Sequence, residues 1–139
     1  MRGRKAVAGL LLGSLACSGT EMVGSSTLLA GTYRADHFMV TPQGESEKDV
    51  LAAGGSLVIT IEADGSTTGS LNIPASVTGG AAFNASMAGT ATVTQLTVEF
   101  EQQADTFVRD LIWLRIEGKL TVINAAAGGA NYTITLLRD

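Results

Sequence analysis

Residues 56–70 read SLVITIEADGSTTGS and describe a complete β-hairpin. In the first half, Leu57, Ile59 and Ile61 occupy every second position, which is the period of a half-buried strand. The Asp-Gly pair at 64–65 supplies the positive φ that a tight turn requires, and a Thr-rich run follows it. The stretch therefore predicts two antiparallel strands joined by a short connection.

The same alternation of short apolar runs and turn residues continues through the rest of the chain. Runs rich in Val, Ile, Thr and Leu begin at Leu28 and are separated by Gly, Asp and Pro74, whereas helical periodicity is scarce. The pattern predicts an all-β fold, a small antiparallel up-and-down barrel of about eight strands, because closure removes exposed sheet edges. The predicted strands are residues 30–40, 56–63, 67–73, 83–93, 96–101, 107–117, 119–124 and 131–138.

The longest predicted connection covers residues 41–55. Within it, residues 46–53 predict a short helix that stops at the glycines of positions 54–55. We expect this segment to form a flap over one mouth of the barrel.

The N-terminus reads as an export signal that ends at the only cysteine of the chain. A basic head is followed by an apolar run over residues 6–16, which is too short to span a bilayer. We therefore predict a signal peptide over residues 1–17, a polar tether over residues 18–27 and a barrel domain over residues 28–139.

Two routes of processing are open at Cys17. Lipoprotein processing would cut before Cys17, which follows Leu15-Ala16 as in a lipobox, and would leave an acylated outer-membrane anchor. Ordinary signal-peptidase cleavage after Ser18 would discard the cysteine and release a periplasmic or secreted protein. On both routes the protein is exported, and its domain contains no disulfide and no thiolate metal site.

The charge of the mature chain is strongly negative. The full chain carries a formal charge of −4, and removal of the leader leaves six basic residues against thirteen acidic ones. An acidic domain of this kind repels phosphate backbones, so we expect no nucleic-acid partner.

Gly31-Thr32-Tyr33 opens the first predicted strand, and Arg138 closes the last. This pairing resembles the lipocalin-like (calycin) barrels, whose signature is Gly-x-Trp on the first strand with an arginine near the end of the barrel. The hairpin of residues 56–70 is also similar to that of small exported bacterial lipocalin-like domains. The resemblance implies that Gly31 permits close approach, that Tyr33 plugs one end of the barrel, and that Arg138 caps it.

The resemblance and the apolar strand faces together predict a binding function. We expect a small apolar or amphipathic ligand inside the barrel, in a cavity with an apolar lining and few polar groups. On plain alternation, the candidate lining residues are Tyr33, His37, Met39, Leu57, Ile59, Ile61 and Phe100.

The sequence gives no support for an enzyme, a metal site or a bound cofactor. His37 is the only histidine, so it cannot build a His-rich metal site, and no serine lies in a nucleophile turn that could pair with it. No two carboxylates occupy surroundings that would separate their pKa values for acid–base work. We predict no catalytic residues.

The strand over residues 107–117 supports an alternative function. If its even positions, such as Ile112 and Leu114, face the core, then Leu111 and Trp113 form an exposed patch. The protein would then be a structural lipoprotein with a solid barrel that docks another envelope protein. Two structural alternatives are that the tether or flap covers the patch, or that a bulge reverses the register.

Overall fold

The computed structural model of the protein describes residues 29–139. The predicted leader and tether, residues 1–27, and with them Cys17, lie outside the described residues. The described elements are β1 (Gly31–Pro42), β2 (Lys48–Asp49), β3 (Ser56–Ile61), β4 (Ser66–Ile73), α1 (Ala75–Thr78), β5 (Phe83–Ser86), β6 (Gly89–Val93), β7 (Thr97–Gln102), a 3-10 helix (Phe107–Asp110), β8 (Ile112–Ile116), β9 (Lys119–Ala127) and β10 (Ala130–Arg138). None of the helices in this range is long and apolar enough to cross a bilayer.

The strands close into one antiparallel barrel. Neighbours pair in the order β1-β3-β4-β6-β7-β8-β9-β10, and β10 pairs back with β1. β5 pairs with the end of β4, and β6 pairs with its beginning, so the two together fill one position in the wall. The wall therefore has eight positions, and the predicted eight-stranded up-and-down barrel is confirmed.

β3 and β4 form the hairpin that the sequence predicts. Ile61 pairs with Thr67, and Gly65 between them has a φ of +87°. Ser66 donates its backbone N–H and its hydroxyl to Oδ1 of Asp64, at 2.9 and 2.6 Å. These two hydrogen bonds lower the pKa of Asp64, and they fix the turn by local chemistry alone.

A β-bulge at Asp36 reverses the faces of β1 halfway along the strand. The register with β10 shifts just before His37, and beyond the shift Phe38 is buried while His37 is exposed. The prediction that His37 and Met39 share the barrel interior with Tyr33 is therefore wrong. Plain alternation does not account for the extra residue of a bulge, which moves every later side chain to the opposite face.

The predicted helix over residues 46–53 is also wrong. The chain instead forms β2, which pairs with β1 through Met39 and Asp49. The backbone N–H of Val50 donates to the carbonyl of Phe38 at 2.9 Å, and the Val50 side chain is buried. A helix of this length is marginal alone, whereas pairing with β1 satisfies the backbone and buries an apolar side chain.

The predicted strand over residues 107–117 is divided into a 3-10 helix and β8. The helical turn changes the phase of the strand that follows, so Leu111 and Trp113 face the core. The side chains that face outward instead are Ile112, Leu114 and Ile116.

The two ends of the barrel are formed by different connections. We call one end the mouth; its connections are residues 43–55, 74–82, 103–111 and 128–129. We call the other end the base; there β1 begins, β10 ends, and the connections are residues 62–65, 94–96 and 117–118.

Candidate binding site at the mouth of the barrel

The barrel interior is filled by its own side chains. Five of the seven predicted lining residues do meet there, and none of them is more than 1% exposed: Tyr33, Leu57, Ile59, Ile61 and Phe100. Such side chains leave essentially no surface that a water molecule could touch, so no ligand-sized space lies among them. Eight strands make a barrel that is small enough to be packed solid in this way.

The base is closed by residues of the strands themselves. Gly31 has a φ of +148°, and a Cβ at this position would lie 2.6 Å from Nε of Arg138. Tyr33 pairs with Arg138 across the sheet, and its hydroxyl donates to the carbonyl of Leu29 at 2.9 Å. Burial raises the pKa of Tyr33 against the opposing influence of Arg138 and Arg115. The three residues of the expected closure therefore meet at one end of the barrel.

Leu111 and Trp113 do not form a surface patch. Trp113 is fully buried, and its ring meets Phe100 edge to face at a centroid distance of 5.9 Å. Its indole Nε1 donates to the carbonyl of Val108 at 3.2 Å. Trp113 thus joins the barrel wall to the 3-10 helix at the mouth, and the predicted role of these two residues in docking is wrong.

The apolar side chains exposed on the outside of β8 are the sequence neighbours of Leu111 and Trp113. Ile112, Leu114 and Ile116 project outward from β8, and Ile123 on the adjacent β9 is 68% exposed. We call these four residues the outer apolar row. Leu96, in the turn before β7, is also exposed.

The mouth is plugged by the connection between β7 and β8. The 3-10 helix inserts Phe107, whose ring stacks on Tyr132 at a centroid distance of 4.0 Å and an interplanar angle of 8°. Phe107 also contacts Phe38 at 5.9 Å. The same helix buries Val108 completely, so the plug is part of the core and not a loose flap.

A short chain of buried polar groups holds the beginning of this connection. Thr106 donates its hydroxyl to Oε1 of Gln102 at 2.8 Å. Gln102 in turn directs its amide nitrogen to the sulfur of Met87 at 2.9 Å, which is a weak acceptor. Because these side chains are buried and partnered, the connection has a defined position relative to the wall.

Above the plug lies an open cup of about 380 Å³. Its apolar walls come from four elements and include the half-exposed ring of Phe83 beside the Phe107–Tyr132 stack. The full lining is Ile73, Thr78, Phe83, Asp105, Thr106, Phe107, Asp110, Gly128 and Tyr132. Burial raises the pKa of Tyr132, so the ring beneath the cup is neutral over the physiological range.

Two carboxylates stand at the rim of the cup and share one guanidinium. Arg109 approaches Asp105 at 2.6 Å and Asp110 at 3.9 Å. The Asp105 side chain is 88% exposed, so this ion pair is weak and exchangeable. The rim therefore keeps one net negative charge next to an apolar surface.

A second depression, of about 450 Å³, lies between the end of β1 and the β9–β10 turn. Its lining is Thr41, Gln43, Ala126, Ala127, Gly128, Gly129, Ala130 and Asn131. None of these side chains is charged or aromatic, so the depression offers little to fix a ligand in one orientation.

The described residues show no constellation for metal binding. Within residues 29–139, no three His, Cys, Asp or Glu side chains come together in a metal-binding group. His37 is exposed on the outer face of β1.

The residues that build the cup do not stand out in the sequence. The sequence predicts Phe107 and Tyr132 on regular strands, and it predicts Asp105 and Asp110 as part of a solvated acidic rim without a binding role. The only available signal was the polar stretch at 102–106 before Phe107, which marks a connection that carries an aromatic side chain. Comparison with known proteins gives no match to a family model, a curated protein or a solved structure.

Proposed function

We propose that the protein is an exported, non-enzymatic, lipocalin-like binding protein that takes up one small amphipathic molecule at the mouth of its barrel. The observation that carries this proposal is the cup above the Phe107–Tyr132 stack. It combines apolar walls with a few polar groups, and its volume lies in the range of small-molecule sites. The lipocalin-like assignment rests on Gly31, Tyr33 and Arg138 at the base.

The proposal moves the site from the barrel interior to its mouth. The interior positions expected to line a cavity are occupied by close-packed side chains. The cup, in contrast, is open and lies on a rigid floor, since Phe107 is stacked and Trp113 anchors the plug. A preformed floor lowers the ordering cost of binding.

Export is part of the same proposal. The leader of residues 1–17 directs the chain to the cell envelope, where Cys17 is either acylated or removed. The described chain begins at the base, so an anchor at Cys17 would join the barrel at the end opposite the cup.

The first test is native mass spectrometry of the protein purified from the envelope of its own host. We expect a discrete non-covalent adduct that dissociates on activation, and the mass of the protein itself reports whether Cys17 is acylated. A clean mass without adduct, reproduced under mild extraction, would contradict the proposal.

The position of the site is tested by two matched variants. Phe83→Ala removes one wall of the cup, whereas Leu96→Ala shortens a side chain that is 70% exposed at the base. We expect Phe83→Ala to lose most of the adduct and Leu96→Ala to retain it. Ile59→Phe, which adds bulk inside the filled barrel, should lower stability by about 1–3 kcal/mol and leave uptake intact.

A second candidate function is the docking of another envelope protein, and the outer apolar row favours it. Monomeric proteins seldom leave several large apolar side chains side by side on a strand face. Glu99 pairs with Ile112 at one end of the row and Lys119 pairs with Ile116 at the other, so we expect a partner surface that is apolar with charges of both signs beside it. Leu114→Ser should keep the fold and lose the co-purifying partner, while Leu96→Ser should retain it; equal recovery from both variants would contradict docking through the row.

A further inference from the structure

The charges of the barrel are unevenly distributed between its two ends. The mouth connections carry five carboxylates, from Glu45, Glu47, Asp49, Asp105 and Asp110. They carry only two basic side chains, and both are engaged: Lys48 pairs with Glu45 at 2.6 Å, and Arg109 pairs with Asp105 at 2.6 Å. The mouth therefore keeps three negative charges that no basic residue of these connections offsets.

The base is balanced in comparison. Its basic side chains are Arg34, Arg115, Lys119 and Arg138. Its acidic side chains are Glu62, Asp64, Glu117 and Asp139. Residues 29–139 carry twelve acidic and six basic side chains, so the mouth holds half of their net charge of −6. A net negative mouth attracts ligands of opposite charge and repels those of the same charge.

The cup itself combines this charge with an apolar surface. Asp105 and Asp110 form its rim, while Phe83 and Ile73 form a wall beside them. Arg109 competes for the same carboxylates, but it offers one charge against two, and its pairing with Asp105 is largely in solvent. An aromatic wall also favours a cation over an anion, because the face of the ring carries the negative end of its quadrupole.

We infer that the ligand of the cup is a cationic amphipath: an ammonium or similar cation that meets Asp105 and Asp110, attached to an apolar group that lies against Phe83. This inference rests on the proposed function and adds the class of ligand to it. The apolar group supplies most of the affinity, and the rim carboxylates supply the selection by charge.

Three probes with the same phenylethyl group separate the effect of charge from that of apolar contact. They are 2-phenylethylammonium, 2-phenylethanol and 3-phenylpropanoate. Each is titrated into the protein as its host processes it, and binding is followed by the NMR shifts of Phe83 and its neighbours. We expect the ammonium to bind about tenfold more tightly than the carboxylate, with the alcohol between them. The preference should shrink when the salt is raised from about 0.05 M to about 0.5 M, because exposed charges are screened.

Variants test whether the rim carboxylates cause the preference for the ammonium probe. Asp105→Asn combined with Asp110→Asn leaves Arg109 at the rim without its two carboxylates, so the preference for the ammonium over the carboxylate should disappear or reverse. Glu62→Gln removes one carboxylate at the base and should leave the preference unchanged. An equal effect from Glu62→Gln, or an unchanged preference in the double variant, would overturn the assignment to the rim.

The outcomes also separate this inference from the proposed function. If all three probes bind at the cup with equal affinity, the binding function stands and the cationic class is wrong. If none of the three shifts the signals of the cup residues, both the cationic class and the binding function of the cup are wrong.

Discussion

The two ends of the barrel are closed by different parts of the chain. At the base, the closing groups belong to the strands: Arg138 from β10 lies over Gly31 of β1, and Tyr33 bonds to the carbonyl of Leu29. Their positions follow from strand register, so the base cannot change without a change in the wall.

At the mouth, the closing group is brought in by a connection. The β7–β8 segment inserts Phe107, which stacks on Tyr132, and Trp113 fixes the inserted turn through the carbonyl of Val108. This closure depends on one inserted segment and leaves a cup on its outer side. The comparison indicates that substitutions at the base alter stability, because they alter the wall. Substitutions in the mouth connections can alter the shape and chemistry of the cup while the wall stays the same.

The largest expected effect comes from the residue that joins the mouth to the wall. Trp113→Ala empties a fully buried site, removes the edge contact with Phe100 and breaks the hydrogen bond to Val108. We expect a loss of about 4 kcal/mol in the free energy of unfolding, measured by urea denaturation. The neighbouring change Ile112→Thr, on the outer face, should stay within about 0.5 kcal/mol. A small effect at Trp113 would show that the plug is not coupled to the wall.

The plug itself provides the next test. Phe107→Ala removes the ring that stacks on Tyr132 and should cost about 3 kcal/mol in the free energy of unfolding. It also opens space toward Phe38, so the variant should bind 2-phenylethanol more tightly than the natural chain. Phe83→Ala should do the opposite, with little change in stability and weaker binding. If Phe107→Ala lowers the affinity instead, the ring is a wall of the site and not its floor.

The strands themselves could be predicted because their signals are local. The alternation at 57–61 and the Asp-Gly turn act within a few residues, and β3 and β4 form where they were expected. The bulge at Asp36 depends on pairing with β10, almost a hundred residues away along the chain. No local pattern contains that information, and the assignment of His37 and Met39 to the interior failed for this reason.

The candidate site was harder to predict because it is assembled from connections. Ile73, Phe83, Phe107 and Tyr132 come from separate parts of the chain and meet only after the barrel closes. The 3-10 helix before β8 also shifts the in–out alternation of that strand by one residue, which places Trp113 inside the barrel. Short helical turns carry little sequence signal of their own, since their stability comes from the side chains they bury.

A smaller effect is expected from the close approach at the base. Gly31→Ala combines an unfavourable φ of +148° with a contact between the new Cβ and Nε of Arg138, and it should cost about 2 kcal/mol in the free energy of unfolding. Gly118→Ala introduces the unfavourable φ with nothing within 4 Å of the new Cβ, so it should cost about 1 kcal/mol. Arg138→Ala added to Gly31→Ala should recover the part of the cost that comes from the contact. Without that recovery, Arg138 would not be the group that occupies the space over Gly31.

The smallest expected effect is a change in how the free energy of unfolding depends on pH. It can be assigned to one end of the barrel or the other, because each end holds one buried tyrosine. Burial raises the pKa of Tyr33 at the base and of Tyr132 at the mouth above the ordinary value of 10.0. Below that value both tyrosines are neutral whether the chain is folded or unfolded, and their contribution is complete. At higher pH the unfolded chain ionises first, so the free energy of unfolding falls until the folded pKa values are passed.

Replacing each tyrosine by phenylalanine assigns this alkaline loss to one end or the other. Tyr132→Phe keeps the ring stacked on Phe107, so we expect little change at about pH 8 and a shallower loss of stability at about pH 11. Tyr33→Phe should show the same shallower loss together with a cost of about 1 kcal/mol at about pH 8, because the hydrogen bond to Leu29 disappears. Urea denaturation at the two pH values measures both effects. If both variants lose stability between these pH values as steeply as the natural chain, groups other than these two tyrosines govern alkaline unfolding, and the comparison of the two ends must rest on packing and charge alone.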